Sequence, residues 1–362
     1  MKPIRKLGKI FTRACVAILL IAMAAPIHAA TDWEIDQAIQ DGLAWLATTQ
    51  NPNGSFGSGY PLADTATAVL AFENEGHFPG GGTAYSGVVE AGLDYIFTRC
   101  YKGGIGPQTY GNPDSNGNGL GMYFSYNRYM YETGIVMQAI VASSTPDREV
   151  TTGGCAATPP QAPVTYRDVM VEVVDWLSWA QNELGSGRGG WDYSPNSWRG
   201  DNSVAQWPVL GLIAAEQWGI IAPAFVKSEL NIWIDYIQND LNGGSGYTHP
   251  NGIVNMSKTG GLLVEMYYVG DDKDTERAQD AINYLNSRWN VGYYSWYGNK
   301  GHPYAMFSVF KGLELMQVPV IPSAPANADT PAGDWWGDYA DYLVLNQHAA
   351  GYWPGYYYWG PA

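Results

Sequence analysis

Gly42 to Gly57 reads GLAWLATTQNPNGSFG: an aromatic and a leucine, three further residues, a glutamine, then a glycine turn closed by Phe56. Upstream, Ile35, Ala38, Ile39, Leu43 and Leu46 fall at helical spacing and make one apolar stripe, so the tryptophan and leucine close an amphipathic helix. Downstream, Thr65 to Phe72 is apolar nearly all round, and a helix apolar on every face has to be buried.

The same signal recurs at Trp176-Leu177…Gln181, Trp233-Ile234…Gln238 and Tyr342-Leu343…Gln347. Weaker copies at Tyr95-Ile96…Cys100 and Tyr284-Leu285…Trp289 keep the aromatic pair and replace the glutamine, which makes six units. Each continues into a glycine turn, as at Gly190-Trp191, Gly246-Tyr247, Gly292-Tyr293 and Gly351-Tyr352, with Gly104-Ile105-Gly106 the odd one. Buried runs follow at Ile135 to Ala142 and Val204 to Ala215. Alternating half-buried and fully buried helices predict outer helices shielding inner ones around an axis. In that arrangement the glutamine bonds orphan carbonyls or the next loop, and the aromatic packs over it.

Ahead of the repeats, Lys2, Arg5, Lys6, Lys9 and Arg13 precede an apolar run from Ala14 to Ala25 and a small-residue stretch to Ala30, the layout of a secretory signal peptide over residues 1–30. That run is too short for a permanent membrane anchor. The whole chain has 19 basic and 34 acidic residues. Without the leader the balance is about minus twenty, which repels nucleic acid and anionic lipid. Export would leave Cys100 and Cys155 as the only cysteines, and an even count in an oxidising compartment favours a disulfide between them. The repeat domain then spans 31–362, with insertions at 102–128 and 143–164 that are expected at the rim.

This pattern resembles the QW repeat of squalene and hopene cyclases and of protein prenyltransferase β subunits. The resemblance covers nearly all of Asp32 to Ala362 and implies an all-α fold, an α/α toroid of about six repeats. It does not extend to their chemistry. The acidic run of the cyclases opens an inner helix, whereas Asp271-Asp272-Lys273-Asp274 here precedes an outer one, where a helix cap explains it. The prenyltransferase zinc motif and the glutamine of thioester domains are also missing, since Gly154-Cys155-Ala156-Ala157-Thr158 has no acyl donor. Exported glycosidases and polysaccharide lyases use similar rings of helices, so fold leaves function open.

Polar residues open the predicted inner helices: Asp64-Thr65, Glu132-Thr133, Asp201-Asn202-Ser203 and Ser257-Lys258-Thr259. Capping accounts for them, and so does a ring of catalytic carboxylates from Asp64, Glu132 and Asp201, the minimum equipment of a glycoside hydrolase. Trp191, Trp207, Tyr247 and Tyr304 are candidate ligand-binding aromatics, and they are also what the repeat turns require. His249 and His302 with Asp201 match no standard zinc spacing. Asp114-Ser115-Asn116-Gly117-Asn118-Gly119 reproduces the first half of a calcium loop, with Asp114, Asn116 and Asn118 as donors; such runs also form plain turns. No other cofactor is indicated.

Two functions remain open at this stage. One is an exported binding protein that takes a small molecule, glycan or protein ligand at a central cavity or rim, and the other is a carbohydrate-active enzyme using those carboxylates. The sixth unit presents an outer helix, Trp335 to Gln347, and then an aromatic tail without an inner helix, as expected of a gene model cut short or of a gap filled by the tail or a partner.

Overall fold

The computed structural model describes residues 29–158, 161–292, 296–327 and 329–355. The expected leader, save its last two residues, and the aromatic tail from 356 onward lie outside them. In chain order the helices are α1 (Asp32–Thr48), α2 (Pro61–Asn74), α3 (Ser86–Phe97), α4 (Tyr129–Ala142), α5 (Tyr166–Ala180), α6 (Asn202–Glu216), α7 (Ala224–Ile237), α8 (Met256–Val269), α9 (Glu276–Arg288), α10 (Pro303–Leu315) and α11 (Trp335–Asn346). A two-stranded antiparallel sheet, β1 (Cys100–Gly104) on β2 (Leu120–Phe124), stands between α3 and α4. The protein is therefore mostly helical, as expected of an all-α fold. The described residues form two compact units: Thr49–Ile237, and 29–48 with 238–355.

Burial alternates along the chain as the periodicity predicts, except at α5, which is buried on most faces. Helix α1 buries only Ile35, Ala38, Ile39 and Leu43, one stripe of its surface. Helices α4, α6 and α8 are buried on nearly every face, including polar positions such as Thr133, Gln206 and Thr259.

In the first unit, α4 packs against both α2 and α6. The α4·α6 contact is backbone to backbone: a Cβ on Gly134 would stand 2.3 Å from the Trp207 carbonyl carbon, and one on Gly211 would stand 3.1 Å from Gly134 O. In the second unit, α8 and α10 meet the same way, a Cβ on Gly260 falling 2.4 Å from Val309 N and one on Gly312 falling 2.5 Å from Gly260 O. Mid-helix glycine costs roughly 1 kcal/mol against alanine; here it permits an approach that no side chain allows.

The repeat glutamines hold their turns in place. Gln50 Nε2 donates to Gly54 O (3.0 Å) and Val88 O (2.9 Å). Gln181 Nε2 donates to Gly189 O (2.8 Å) and Val226 O (3.0 Å). Gln238 Nε2 donates to Gly243 O (2.9 Å) and Arg277 O (2.8 Å). One amide thus ties its own glycine turn to the first turn of α3, α7 or α9, with about 1 kcal/mol from each bond. The turn glycine lies against the same helix: a Cβ on Gly54, Gly189 or Gly243, all with positive φ, would stand 2.1, 1.9 or 2.3 Å from the carbonyl oxygen of Ala91, Glu229 or Asp280. Gly351, also with positive φ, meets Asp41 O of α1 at 2.3 Å by the same measure, and Gln347 Nε2 donates to Gly351 O. Within its unit, α1 therefore stands to the last turn as α9 stands to Gly243.

The two degenerate units keep the link by other means. Trp289 replaces glutamine and donates from Nε1 to Asp338 Oδ2 of α11 (2.7 Å). Cys100 replaces it in the other and forms a disulfide with Cys155, Cα to Cα 5.5 Å, tying β1 to the 143–164 insertion. Closing a loop of 55 residues contributes about 4 kcal/mol by chain entropy. The disulfide fits an oxidising compartment. No helix among the described residues is long and apolar enough to cross a membrane.

Candidate functional site

At the start of α2, α4 and α8 a threonine follows a charged residue. The threonines are structural: Thr65 Oγ1 accepts from Phe56 N (2.8 Å), Thr133 Oγ1 from Phe124 N (3.0 Å) and Thr259 Oγ1 from Ser245 N (2.9 Å). The residue just before each threonine, Asp64, Glu132 or Lys258, occupies the equivalent position in its helix.

Glu132 is fully buried, and its Oε2 accepts three backbone N–H groups, from Tyr126 (2.9 Å), Asn127 (3.1 Å) and Arg128 (2.8 Å). This carboxylate holds the turn that opens α4, while its Oε1 is buried with no hydrogen-bond partner. Asp201 is the N-cap of α6, accepting at Oδ1 from Ser203 N (2.9 Å) and Ser203 Oγ (2.6 Å), and burial raises its pKa. Asp64 is half-buried and behaves differently. Burial pushes its carboxyl up to about 6, against the opposing pull of a backbone hydrogen bond at Tyr60.

Around Asp64 and Glu132 the same unit gathers aromatic rings. Tyr131 meets Trp207 edge-on at 5.6 Å and Tyr193 at 6.4 Å between centroids. Burial first, then Tyr193 and Asp64, drives the Tyr131 phenol well above its ordinary pKa, so it stays a neutral donor. The Arg128 guanidinium lies between two rings, 4.8 Å from the Tyr193 centroid and 5.0 Å from that of Tyr60, with Nη2 3.4 Å from the Tyr60 hydroxyl. No carboxylate among the described residues pairs with Arg128. Tyr60 is 46% exposed, so solvent reaches the cradle. Sequence reading missed Arg128, whose signal was the flanking Tyr126 and Tyr129 at the opening of a buried helix.

The other predicted binding aromatics lie elsewhere. Trp191 is fully buried and donates from Nε1 to Leu177 O (3.0 Å), a core position. Tyr247 is half-buried beneath Lys258 Nζ, 4.6 Å from its ring centroid. Tyr304 is half-buried with His302 at 6.5 Å. His302 caps α10, Nδ1 accepting from Ala305 N (3.3 Å); burial, then the Lys258 charge, lowers its pKa to about 4. His249 is exposed in its turn. The Asp271–Asp274 run precedes α9 without capping it: Asp271 pairs with Arg277 (2.6 Å), and Thr275 is the N-cap residue.

The 102–128 insertion lies over α5, which its hairpin buries on most faces. Asp114 accepts at Oδ1 from Gly117 N (2.8 Å) and at Oδ2 from Gly119 N (2.8 Å), bonds that lower its pKa. Asn116 Nδ2 and Asn118 Nδ2 both donate to Glu172 Oε1 at 2.8 Å, and Ser115 N and Oγ donate to Asp175 Oδ2 at 3.0 and 3.1 Å. Among the described residues no three Asp, Glu, His or Cys side chains are grouped to hold a metal by themselves. No family model and no curated protein matches the chain.

Proposed function

We propose that this protein is an exported α/α toroid of the squalene cyclase and prenyltransferase type that has given up their chemistry and binds a polyhydroxylated ligand, a glycan, in the cradle around Arg128. The toroid is supported by the alternation of half-buried and buried helices and by Gly351 docking on α1 as the other turn glycines dock on their outer helices. Export is supported by the leader-like start and the Cys100–Cys155 disulfide.

One observation carries the binding assignment: a guanidinium held between two tyrosine faces, open to solvent and without a carboxylate partner among the described residues. Flat rings suit the apolar face of a sugar, while an arginine fork suits its hydroxyls or a uronate carboxylate. Of the three candidate carboxylates, Glu132 and Asp201 are engaged by backbone amides, which favours binding over hydrolysis. Asp64 alone favours the second reading, a glycosidase or lyase, because a carboxyl near 6 is suited to general acid work.

An array of neutral and uronate-containing glycans, read for binding and for product release, separates the two. Binding without products is expected, weakened about tenfold or more by Tyr193→Ala or Arg128→Ala, since a lost aromatic or charged contact is worth roughly 1.5 kcal/mol. Absence of any glycan binding, or binding indifferent to both variants, rejects the assignment. Product release abolished by Asp64→Asn establishes the enzyme instead.

A further inference from the structure

Glu172 and Asp175 are three residues apart on α5, where an outer helix would ordinarily show acids to water. The hairpin insertion covers them: Asp175 is 0% exposed and Glu172 8%. Each has one oxygen satisfied by the loop, Glu172 Oε1 by the two asparagine amides and Asp175 Oδ2 by Ser115. The other oxygens, Glu172 Oε2 and Asp175 Oδ1, are buried with no hydrogen-bond partner. Neither acid has an arginine or lysine partner among the described residues, and Asp114 acts on Asp175 electrostatically. Two buried like charges with free lone pairs call for a cation. The covering loop supplies oxygen donors at alternate positions, the spacing with which chains wrap calcium.

We propose that a calcium ion binds between this loop and α5, taking the unpartnered oxygens of Glu172 and Asp175 together with the side-chain carbonyls of Asn116 and Asn118. The Asn116 and Asn118 carbonyl oxygens accept Asn118 N and Leu120 N within the loop, and each keeps a second lone pair for the hard ion while its amide N–H holds Glu172. The ion clamps the hairpin to α5 and acts independently of the Arg128 cradle. Calcium is favoured over magnesium because the donors come from a pliant loop and include two neutral amides, whereas magnesium demands near-ideal octahedral geometry.

The full chain, freed of metal with EDTA, is titrated with calcium chloride by calorimetry and followed by thermal unfolding at neutral pH. One ion per chain is expected, with a Kd of about 10⁻⁵ to 10⁻³ M, a melting temperature that rises with calcium, and a weaker response to magnesium. The Glu172→Gln/Asp175→Asn double variant should lose at least tenfold in affinity and, in EDTA, melt at or above wild type. Asn116→Ala/Asn118→Ala, at exposed positions that do not endanger folding, should also weaken binding. No heat and no thermal shift in wild type overturns the proposal. So do an undiminished calcium response in the asparagine variant and an equal response to magnesium.

Discussion

The α4·α6 pair and the α8·α10 pair are built alike and finished differently. Both meet through glycines, Gly134 with Gly211 and Gly260 with Gly312, and both place a threonine where its hydroxyl accepts an N–H from the segment that leads into the helix. One residue earlier, the first pair carries Glu132, consumed by three backbone amides, and the second carries Lys258, buried over the Tyr247 ring. Backbone geometry is thus common to the two pairs, while charge at the start of the buried helix is set locally by what that turn leaves unsatisfied. A functional reading of such positions has to follow the hydrogen bonds, since residue type and spacing are the same whether a carboxylate caps or reacts.

The comparison breaks first at the glycines. Gly134→Ala and Gly260→Ala each force a methyl against backbone that cannot yield without parting the helices, so each should lower unfolding stability by about 3 kcal/mol. Urea denaturation measures both. A large loss in one and a negligible one in the other would mean that the pairs are not equivalent.

Much of the fold was legible because it rests on periodicity. The Ile35 to Leu46 stripe and the apolar run after Thr65 marked a half-buried and a buried helix, and the tryptophan–glutamine signal marked the turns. Gly134 and Gly260 were not legible, because a glycine inside a helical pattern reads as a weak propensity until its neighbour is known. Nor was the burial of Glu172 and Asp175, because the hairpin that covers them comes far earlier in the chain, Asn116 lying 56 residues before Glu172. At the site, Asp64, Glu132 and Asp201 were found by type and position, but only the bonds to Tyr126, Asn127, Arg128 and Ser203 distinguish the two engaged carboxylates from Asp64. Trp191 was conspicuous for the same reason that it is buried, namely that the repeat turn requires it.

The next test concerns the charge that differs between the pairs. Glu132→Ala leaves three amides of a buried turn without an acceptor and should cost about 2 to 3 kcal/mol, while Glu132→Gln, which keeps one oxygen in place, should cost less. Activity or ligand binding in Glu132→Gln should follow stability alone. A loss of binding in a fully folded Glu132→Gln protein would show that the unpartnered Oε1 contributes to recognition.

The smallest effects at neutral pH come from Asp64 and His302, which make the two units respond oppositely to acid. Asp64 is held near 6 in the fold and titrates near 3.8 when unfolded, so between those values the folded chain keeps a proton that the unfolded chain has released. Its contribution is greatest below about pH 4 and falls as pH rises toward 6. His302 is held near 4 against an ordinary 6.5, so as pH falls through that window the unfolded chain takes up a proton that the folded chain refuses. Stability from His302 is therefore full above about 6.5 and lost toward 4. Each pKa unit is worth about 1.4 kcal/mol, which makes the His302 term about 3 kcal/mol at its acid limit. The Asp64 term, discounted for its solvent exposure, is about 1 kcal/mol. Denaturation at pH 4, 5, 6 and 7 resolves the two slopes: His302→Asn, which retains a capping side chain, should flatten the acid loss, and Asp64→Asn should steepen it by removing the opposing term. Parallel profiles for wild type and both variants would show that neither group is perturbed in solution, and Asp64 would then lose its standing as a general acid.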